Sequence, residues 1–422
     1  MASRLEWMRQ EVRALYERNR QRGFAPWADY EYDFVCPSMG TYPFQWFWDS
    51  CFHAVALSCV DVERARIELR SLLRNQQQDG FVAHVTFWQR ERFEALLSTY
   101  KIAYRTPYLS DCMQPPLLAE AVDAIVRRGG GERSFLLEIL PKLRRYYDWL
   151  HEWRDPDQDG LIAIIQPDET GLDHTPKFDE YLGITAAEMQ QMNDAWERVC
   201  KPYDTHGRQP RRVFEQDLFI VEDVMVNTIY CLNLRLLARL HRSLGEEAGA
   251  LELEARAART FSSLIDKCYD PERGLFFDLA GRAERHLRVD TFTSLMPLVL
   301  PDLPQPIAER LIAHLEDPGA YAARFPVPTV SMREPSFHPG APGQKLVWRG
   351  PSWINSNWYL ARGLRAHGRE ELARSIEDRS VELIERSGFR EYYNPHTGEG
   401  YGAEDFSWSA LAVDMLASRE GE

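Results

Sequence analysis

The sequence lacks any long apolar segment. No run of about 18 apolar residues, the length that a membrane-spanning helix requires, occurs in its 422 residues. The first 20 residues carry charges throughout and have no apolar stretch of the kind found in a signal peptide. These two absences predict a cytoplasmic protein that has no membrane partner.

Basic patches and flexible linkers are also missing. The 64 Asp and Glu residues outnumber the 50 Lys and Arg residues, and the basic ones are scattered along the chain. Nucleic-acid-binding proteins instead gather their cations to neutralise phosphates, so nucleic acid is not expected as a partner. No stretch rich in Pro, Gly or Ser is long enough for a flexible linker, which favours one domain over residues 1–422.

Cysteine pairs and the common cofactor motifs are absent as well. The seven cysteines are odd in number and show no CxxC spacing, which argues against a zinc site and a full disulfide framework and predicts reduced core residues. The sequence contains no GxGxxG after a strand, no GxxxxGK[ST], no HExxH and no GxSxG, so phosphate, nicotinamide and serine-hydrolase chemistry lose support. We predict no cofactor and no metal.

One acidic segment resembles the opening of a calcium loop. It reads Asp-Pro-Asp-Gln-Asp-Gly over residues 155–160, but Gln166 occupies the twelfth position, where such a loop needs a bidentate Glu. This mismatch favours a turn that ends the preceding helix.

Helical periodicity covers most of the chain. Apolar residues recur at helical spacing over residues 3–21, 48–60, 61–76, 112–127, 133–153, 218–243, 246–268, 304–316, 352–367, 369–387 and 404–418. Several segments form pairs in which an apolar helix, such as 352–364, precedes an amphipathic one, such as 370–386. A closed ring of about six such pairs would cover the apolar helices on all sides and leave one face of each amphipathic helix to solvent.

The segments between these helices are predicted to be loop excursions, near residues 24–50, 80–111, 155–215 and 319–351. Functional residues concentrate on the loops of a rigid scaffold. We therefore expect a site at one end of the ring.

The segment 166–179 places four carboxylates around a Gly turn and two Pro residues, which a buried helix could not accommodate. They are Asp168, Glu169, Asp173 and Asp179. A solvated acidic turn is an equally good interpretation of this segment taken alone, because most charged residues are exposed.

Three further segments mix aromatic rings with carboxylates and amides. Residues 41–50 place Tyr42, Trp46 and Trp48 beside Asp49, residues 345–358 are rich in Trp and Asn, and residues 391–402 form a turn-rich loop. A sugar stacks its C–H face on a ring while its hydroxyls bond to polar groups. Core packing is the alternative for any single ring.

Together these segments resemble glycoside hydrolase family 63, and within it the short bacterial hydrolases of mannosylglycerate and glucosylglycerate. The resemblance is carried by Glu-Thr-Gly-Leu-Asp-His-Thr-Pro (169–176), Glu-Tyr-Tyr-Asn-Pro (391–395), Trp-Asp-Ser (48–50) and Met-Gln-Pro-Pro (113–116). It extends from end to end, with Thr in place of two family Ser residues. It implies an all-α (α/α)6 barrel with long loops capping one end, and an inverting α-glycosidase.

The resemblance also implies residue roles. Asp173 would be the general acid and Glu391 the general base. The residues that would bind the sugar are Tyr42, Trp46, Asp49, Gln114, Trp353, Asn357 and Trp358. A glycerate leaving group carries a carboxylate and needs a cation, and the candidates are Arg208, Arg211, Arg212, Lys177, Lys345 and Arg349.

Several alternatives stay open at this point. The sequence does not separate mannose from glucose, and a homo-oligomer is compatible with it. A rival enzyme is an α-glucosidase or trehalase-like hydrolase that acts on neutral disaccharides. A rival of another class is a ring of helices that binds carbohydrate without cleaving it.

Overall fold

A computed structural model describes residues 3–94, 104–106, 108–130, 133–155, 157–185, 188–204 and 209–420. The chain forms two compact units. Unit 1 comprises Met1–Leu150, Asn233–Leu253 and Asp405–Glu422, and unit 2 comprises His151–Leu232 and Glu254–Glu404.

Helices dominate both units. In chain order they are α1 Arg4–Arg18, α2 Phe47–Ser58, α3 Val62–Leu72, α4 Leu118–Arg128, α5 Arg133–Arg154, α6 Asp179–Leu182, α7 Met189–Asp204, α8 Pro210–Gln216, α9 Val224–Ser243, α10 Glu247–Ser263, α11 Gln305–Glu316, α12 Ile354–Ala366, α13 Glu370–Ser387 and α14 Ala412–Glu420. Every segment predicted to be helical overlaps one of these helices.

The strands are short and antiparallel. They are β1 Arg20–Ala25, β2 Tyr30–Val35, β3 Gln45–Trp46, β4 Val85–Thr86, β5 Tyr104–Thr106, β6 Leu109–Ser110, β7 Val221–Glu222, β8 Tyr269–Asp270, β9 Leu275–Phe276, β10 Asp278–Ala280, β11 Arg285–Leu287, β12 Arg390–Tyr393 and β13 Gly400–Glu404. The sheet orders are β1-β2, β11-β10-β7, β12-β13, β3-β4-β6-β5 and β8-β9.

In unit 1, α2 and α3 form a pair of a buried and an amphipathic helix. Every residue of α2 is buried. Helix α3 begins where the Asp61 side chain accepts a hydrogen bond of 3.1 Å from the Arg64 backbone N–H, which satisfies one of the free donors of its first turn. It buries one side only. Next to this pair, the β1-β2 hairpin contributes Tyr32 and Phe34 to an aromatic cluster with Trp88.

Unit 2 contains the same kind of pair in α12 and α13. Helix α12 is buried over most of its length. Helix α13 buries one stripe, which includes Ala373, Ile376 and Ile384, and exposes charged residues elsewhere. The predicted division into apolar and amphipathic partners is therefore confirmed for these helices.

Two features of the described chain differ from the expectations. The region 155–215, predicted to be a loop, contains the four-turn helix α7, whose buried Met192, Ala195 and Val199 recur at helical spacing. The region 24–50 includes most of the β1-β2 hairpin. The seven cysteines, all of them within the described residues, form no disulfide; five are buried and two partly buried, as predicted. Among the described residues, no helix has the length and apolar character needed to cross a membrane.

Candidate active site

Asp173 lies in unit 2, in a segment built almost entirely of tight turns. A 3-10 helix at Pro167–Thr170 ends at Gly171, which has a φ of 69°, a value that Gly adopts without steric cost. His174 also has a positive φ, 61°. A second 3-10 helix, Pro176–Phe178, then leads into α6. The segment is the irregular loop that its Gly and Pro residues predicted.

The carboxyl of Asp173 has an unusual environment. Its side chain is exposed to solvent, yet desolvation by the surrounding protein raises its pKa from 3.8 to about 6. A carboxyl that water reaches from one side only has both properties, because the remaining protein still disfavours the charged form. A substantial fraction of this carboxyl is therefore neutral near pH 6, as a general acid requires.

Glu169, four residues before Asp173, is paired within the protein. Its buried carboxylate accepts hydrogen bonds of 2.7 and 2.6 Å from the Arg154 guanidinium and one of 2.8 Å from the Ile165 backbone N–H. Its charge is balanced by Arg154, and burial is the cause of the Asp173 shift.

Arg349 anchors the segment that follows Asp173. Its buried guanidinium donates two hydrogen bonds of 2.7 Å to Asp179, a bidentate geometry that is strong and specific. Its Nε donates a third bond of 2.9 Å to the backbone carbonyl of His174. This candidate for glycerate binding already has a carboxylate partner within the protein.

The ring of His174, the residue after Asp173, adds no charge to this loop near pH 7. It stacks on Trp196, with ring centroids 5.1 Å apart and planes at 5°, and both residues line a small cavity with Phe178 and Arg349. Burial, and secondarily Arg349, lower the pKa of His174 to about 4. The imidazole is therefore neutral near pH 7, and its charge does not stabilise ionised Asp173.

Glu391 lies on β12, also in unit 2, where the register with β13 is interrupted by a bulge between Arg390 and Tyr392. Its side chain is buried, and Oε2 accepts a hydrogen bond of 2.8 Å from the Ala403 backbone N–H. Gly402 has a φ of 69°, and a Cβ atom there would lie 2.4 Å from Glu391 Oε2. Only Gly fits beside this carboxylate.

Aromatic rings stack against the strand that carries Glu391. Trp353 and Tyr392 have centroids 5.3 Å apart, and Trp348 stacks on Trp353 at 3.8 Å with planes at 7°. Nε1 of Trp353 donates a hydrogen bond of 3.2 Å to the Val347 carbonyl. Trp348 and Trp353 are both buried.

A short segment connects the surroundings of the two candidate catalytic residues. Arg349 contacts the carbonyl of His174, and Ser352 pairs with Tyr393 through two backbone hydrogen bonds of 2.8 and 2.9 Å. Three residues span at most about 11 Å. The loop of Asp173 and the strand of Glu391 are therefore anchored at nearby points of one segment.

Unit 1 contains the predicted sugar-binding residues of the first aromatic segment. Asp49 is buried in the first turn of α2. Tyr42 and Trp46 form an edge-to-face pair with centroids 6.2 Å apart, and Gln114 accepts a hydrogen bond of 3.1 Å from the Trp48 backbone N–H. Local contacts therefore bring these four predicted residues into one neighbourhood.

This geometry can be compared with known proteins. A family model for the mannosylglycerate hydrolase MGH1-like glycoside hydrolase domain matches residues 42–409. The chain belongs to this family of glycoside hydrolases. The predicted glycosidase activity and the resemblance to family 63 are confirmed.

Curated relatives cover nearly the whole chain. A mannosylglycerate hydrolase of Thermus thermophilus is 33% identical over an alignment 407 positions long, which covers 89% of this chain and 95% of the relative. A second mannosylglycerate hydrolase, from Rubrobacter radiotolerans, is 31% identical, and the alignment covers 91% of this chain and 93% of the relative. A glucosylglycerate hydrolase of Mycolicibacterium hassiacum is 27% identical, and the alignment covers 88% of this chain and 91% of the relative.

Solved structures confirm the fold class. The GH63 mannosylglycerate hydrolase of Thermus thermophilus in complex with Tris is 31% identical, with a TM-score of 0.83 over 97% of this chain and 100% of that one. Neutral trehalase of Saccharomyces cerevisiae, 14% identical with a TM-score of 0.58 over 96% and 79%, shares the fold alone. This glycoside hydrolase is mostly helical and has the predicted (α/α)6 class.

Two predicted pocket residues on α12 have other contacts in the structure. Asn357 accepts a hydrogen bond of 2.7 Å from the Val327 N–H, and its amide donates to the Pro326 carbonyl at 2.8 Å and to Ser380 at 2.9 Å. Trp358 is buried beneath Arg362, whose guanidinium carbon lies 4.1 Å from a ring centroid. Their contacts with substrate stay predictions.

The remaining cationic candidates differ in environment. Lys177 is buried and forms ion pairs with Asp223 and, at 2.9 Å, with Asp278. Arg211, Arg212 and Lys345 are exposed, and Arg208 lies outside the described residues. Lys177 is thus engaged inside the protein, whereas the exposed cations remain candidates for glycerate binding.

Sequence reasoning missed some neighbours of the predicted residues. His84 packs edge-to-face on Trp46 with centroids 5.4 Å apart, and Trp196 stacks on His174. His84 belongs to no motif. Trp196 lies in α7, a helix that the apolar periodicity of the sequence could have predicted.

Proposed function

We propose that this enzyme hydrolyses the α-glycosidic bond of mannosylglycerate, releasing the hexose and D-glycerate, and that it inverts the anomeric configuration. Glucosylglycerate is the second candidate substrate, since one relative is named for it. The supporting comparisons are the family model and relatives of matching length that are named for these activities.

In the proposed mechanism, Asp173 is the general acid. Its neutral carboxyl protonates the glycosidic oxygen as the bond to the anomeric carbon breaks. The pKa of about 6 supports this role, because an acid whose pKa lies near the working pH is protonated yet still transfers its proton readily.

Glu391 is the proposed general base. Its ionised carboxylate would take a proton from a water that attacks the anomeric carbon on the face opposite the leaving group. The hydrogen bond from the Ala403 N–H fixes one carboxylate oxygen. Because Gly402 lacks a side chain, it leaves the carboxylate room in this position.

The observation that carries the proposal is the segment from Arg349 to Ser352. It binds the backbone next to Asp173 at one end and the strand of Glu391 at the other. Inverting glycosidases place their two carboxyls about 6.5–9.5 Å apart to admit a water. Because the Cα atoms of Arg349 and Ser352 are at most about 11 Å apart, this segment supports the proposal that the two carboxyls flank one pocket.

Of the residues predicted from the sequence, Trp353 and Trp358 of unit 2 would hold the sugar. Asn357 is less suited, because its amide is already engaged by Val327, Pro326 and Ser380. Asp49, Tyr42, Trp46 and Gln114 stay predictions. For the glycerate carboxylate we favour Arg211, Arg212 and Lys345, because all three are exposed. Arg349 and Lys177, which already pair with carboxylates of the protein, are less suited.

Two broader proposals accompany the activity. We propose that the residues 1–422 form one catalytic domain, which the family match over residues 42–409 supports. We also propose a cytoplasmic location. Seven cysteines that form no disulfide fit a reducing compartment.

The test is a substrate panel followed by NMR. The protein is incubated with mannosylglycerate, glucosylglycerate, trehalose and maltose, and the anomer of the released sugar is recorded before mutarotation. We expect the β-anomer from a sugar glycerate. Initial release of the α-anomer would exclude inversion, and cleavage of the neutral sugars alone would favour a trehalase-like or α-glucosidase activity.

A further inference from the structure

Lys177, four residues after the proposed general acid, is buried with two carboxylates in unit 2. Its ammonium donates a hydrogen bond to Asp223 and lies 2.9 Å from Oδ2 of Asp278. The side chains of all three residues are at most 2% exposed. A buried charge is stable only when it is paired, so the two carboxylates fix the place of the ammonium.

Both carboxylates are held in turn by the first turn of α9. Oδ1 of Asp223 accepts a hydrogen bond of 2.9 Å from the Val226 N–H, and Oδ1 of Asp278 accepts one of 2.8 Å from the Val224 N–H. The N–H groups of a first helical turn have no partner within the helix, so these bonds satisfy the helix as well. Lys177 is therefore anchored to a helix of 20 residues.

The loop of Asp173 is held by buried ion pairs on both sides. Before it, Glu169 accepts hydrogen bonds of 2.7 and 2.6 Å from the Arg154 guanidinium, and after it Lys177 pairs with the two Asp residues. The described residues 171–175 between these ion pairs belong to no helix or strand. The position of the acid therefore depends on the ion pairs and not on the repeating hydrogen bonds of a regular element.

We propose that Lys177 is a positioning residue for the general acid: its ion pairs with Asp223 and Asp278 hold the loop of Asp173 where the carboxyl meets the leaving oxygen. The inference rests on the proposed function, in which Asp173 donates a proton to that oxygen. Lys177 acts through the backbone of the loop, since its buried ammonium is not placed to bind a substrate. Without this cation, two buried carboxylates would repel each other and the loop would lose its anchor on α9.

The test compares two variants of the full chain that each lose a cation. Lys177→Met keeps the length of the side chain without its charge. Arg365→Met is the matched control, because Arg365 on α12 pairs with the buried Glu377 at 2.8 Å in the same unit and has no part in the proposed mechanism. Both variants should melt at a lower temperature, since each removes one partner of a buried ion pair. Only Lys177→Met should also lower kcat, by about 10²-fold, the cost of displacing a reacting group by about 1 Å.

An activated substrate separates displacement of the acid from general damage. Kinetics are measured on the α-glycoside of the substrate panel that the parent cleaves best, and on the α-fluoride of the same sugar. Fluoride departs with little need for a proton, so a displaced acid should cost about threefold at most on this substrate. Equal losses of kcat on the two substrates would overturn the role of Lys177. A parent that cleaves no α-glycoside would instead refute the proposed function on which the inference rests.

The pH profile of kcat/KM gives a second measurement. Burial raises the pKa of Asp173 to about 6, and a loop without its anchor would admit water and lower that pKa. Because the acid acts in its protonated form, the decline of kcat/KM should begin at a lower pH in Lys177→Met. It should begin at the parent's pH in Arg365→Met. A decline at the parent's pH in Lys177→Met would contradict the proposal.

Two further variants complete the test. Lys177→Arg keeps a cation between the two carboxylates, and we expect it to recover most of the kcat on the glycoside. If Lys177→Met fails to fold, Lys177→Gln takes its place, because its amide can still donate hydrogen bonds to Asp223 and Asp278. In a folded neutral variant, turnover of the glycoside equal to that of the parent would overturn the proposal.

Discussion

Nε of Arg349 donates a hydrogen bond of 2.9 Å to the backbone carbonyl of His174, the residue that follows the proposed general acid. The same guanidinium holds Asp179 with two further bonds. Arg349 therefore fixes the backbone on the carboxyl-terminal side of Asp173 at two points. It acts on the acid by positioning its loop.

Replacing Arg349 by Gln should reduce both stability and turnover. Breaking a buried ion pair by removing one partner costs about 3–5 kcal/mol, and we expect the lower end because Asp179 is partly exposed, at 24%. Urea denaturation measures the loss of stability, and steady-state kinetics should show a larger fall in kcat than rise in KM.

The double variant Arg349→Gln with Asp179→Asn is the control for this prediction. It removes the unpaired carboxylate and should recover part of the stability. Turnover should stay low, because the bond to the His174 carbonyl is still missing. Full recovery of kcat in the double variant would contradict a positioning role for Arg349.

Asp173→Asn and Glu391→Gln should each abolish most of the activity. General acid or base catalysis contributes about 10²–10⁴-fold, so we expect kcat to fall by at least that factor in each variant. Product release followed by NMR measures the effect, and equal melting temperatures would show that both variants fold. Turnover close to that of the parent would refute the role assigned to the residue.

The pH profile of kcat/KM should follow the titration of Asp173. The acid acts in its protonated form, and its pKa is about 6, so the rate should decline tenfold per pH unit above about pH 6. The neutral imidazole of His174, with a pKa of about 4, should not contribute above pH 5. A rate that keeps rising between pH 7 and 8 would exclude Asp173 as the acid.

Gly402→Ala should lower kcat by more than the backbone strain of the substitution accounts for. The new Cβ would lie 2.4 Å from Glu391 Oε2, so the proposed base must move, and we expect kcat to fall at least tenfold. Gly368→Ala is the matched control, because Gly368 has a φ of 70° and open space where the added methyl group would lie. A similar kcat in both variants would show that contact with Glu391 does not matter.

Asn357→Ala should destabilise the protein while leaving substrate affinity nearly unchanged. The buried amide makes three hydrogen bonds, one of them to the Val327 N–H, and unsatisfied buried partners cost about 1–3 kcal/mol each. Denaturation and KM measured together separate this role from sugar binding. A large rise in KM with unchanged stability would instead support the predicted role in the pocket.

The helical architecture was predictable because it depends on periodicity. Helix α12 is buried over most of its length, and its sequence is largely apolar or small. Helix α13 buries one stripe, and its sequence is apolar along that stripe only. Helix α7 carried the same signal but lies within a region otherwise rich in turns. The β1-β2 hairpin depends on cross-strand pairing, for which helical periodicity gives no indication.

The site was predictable only in part. Turn residues correctly placed Asp173 on an irregular loop, but the cause of its raised pKa is desolvation, which depends on packing by distant segments. Arg349, Lys177 and Asn357 were chosen for the chemistry of their side chains. Each has buried partners far away in the sequence, and residue type alone does not reveal such partners.

The segment from Arg349 to Ser352 gives the proposed acid and the proposed base a common support. A displacement of this segment would move both carboxyls in the same direction. The distance between the two carboxyls would then change less than the position of either one. Substitutions in remote loops could then change which leaving group is bound, while the distance between the two carboxyls still admits one water. Divergence in substrate preference among enzymes of this architecture would be compatible with a constant stereochemical outcome.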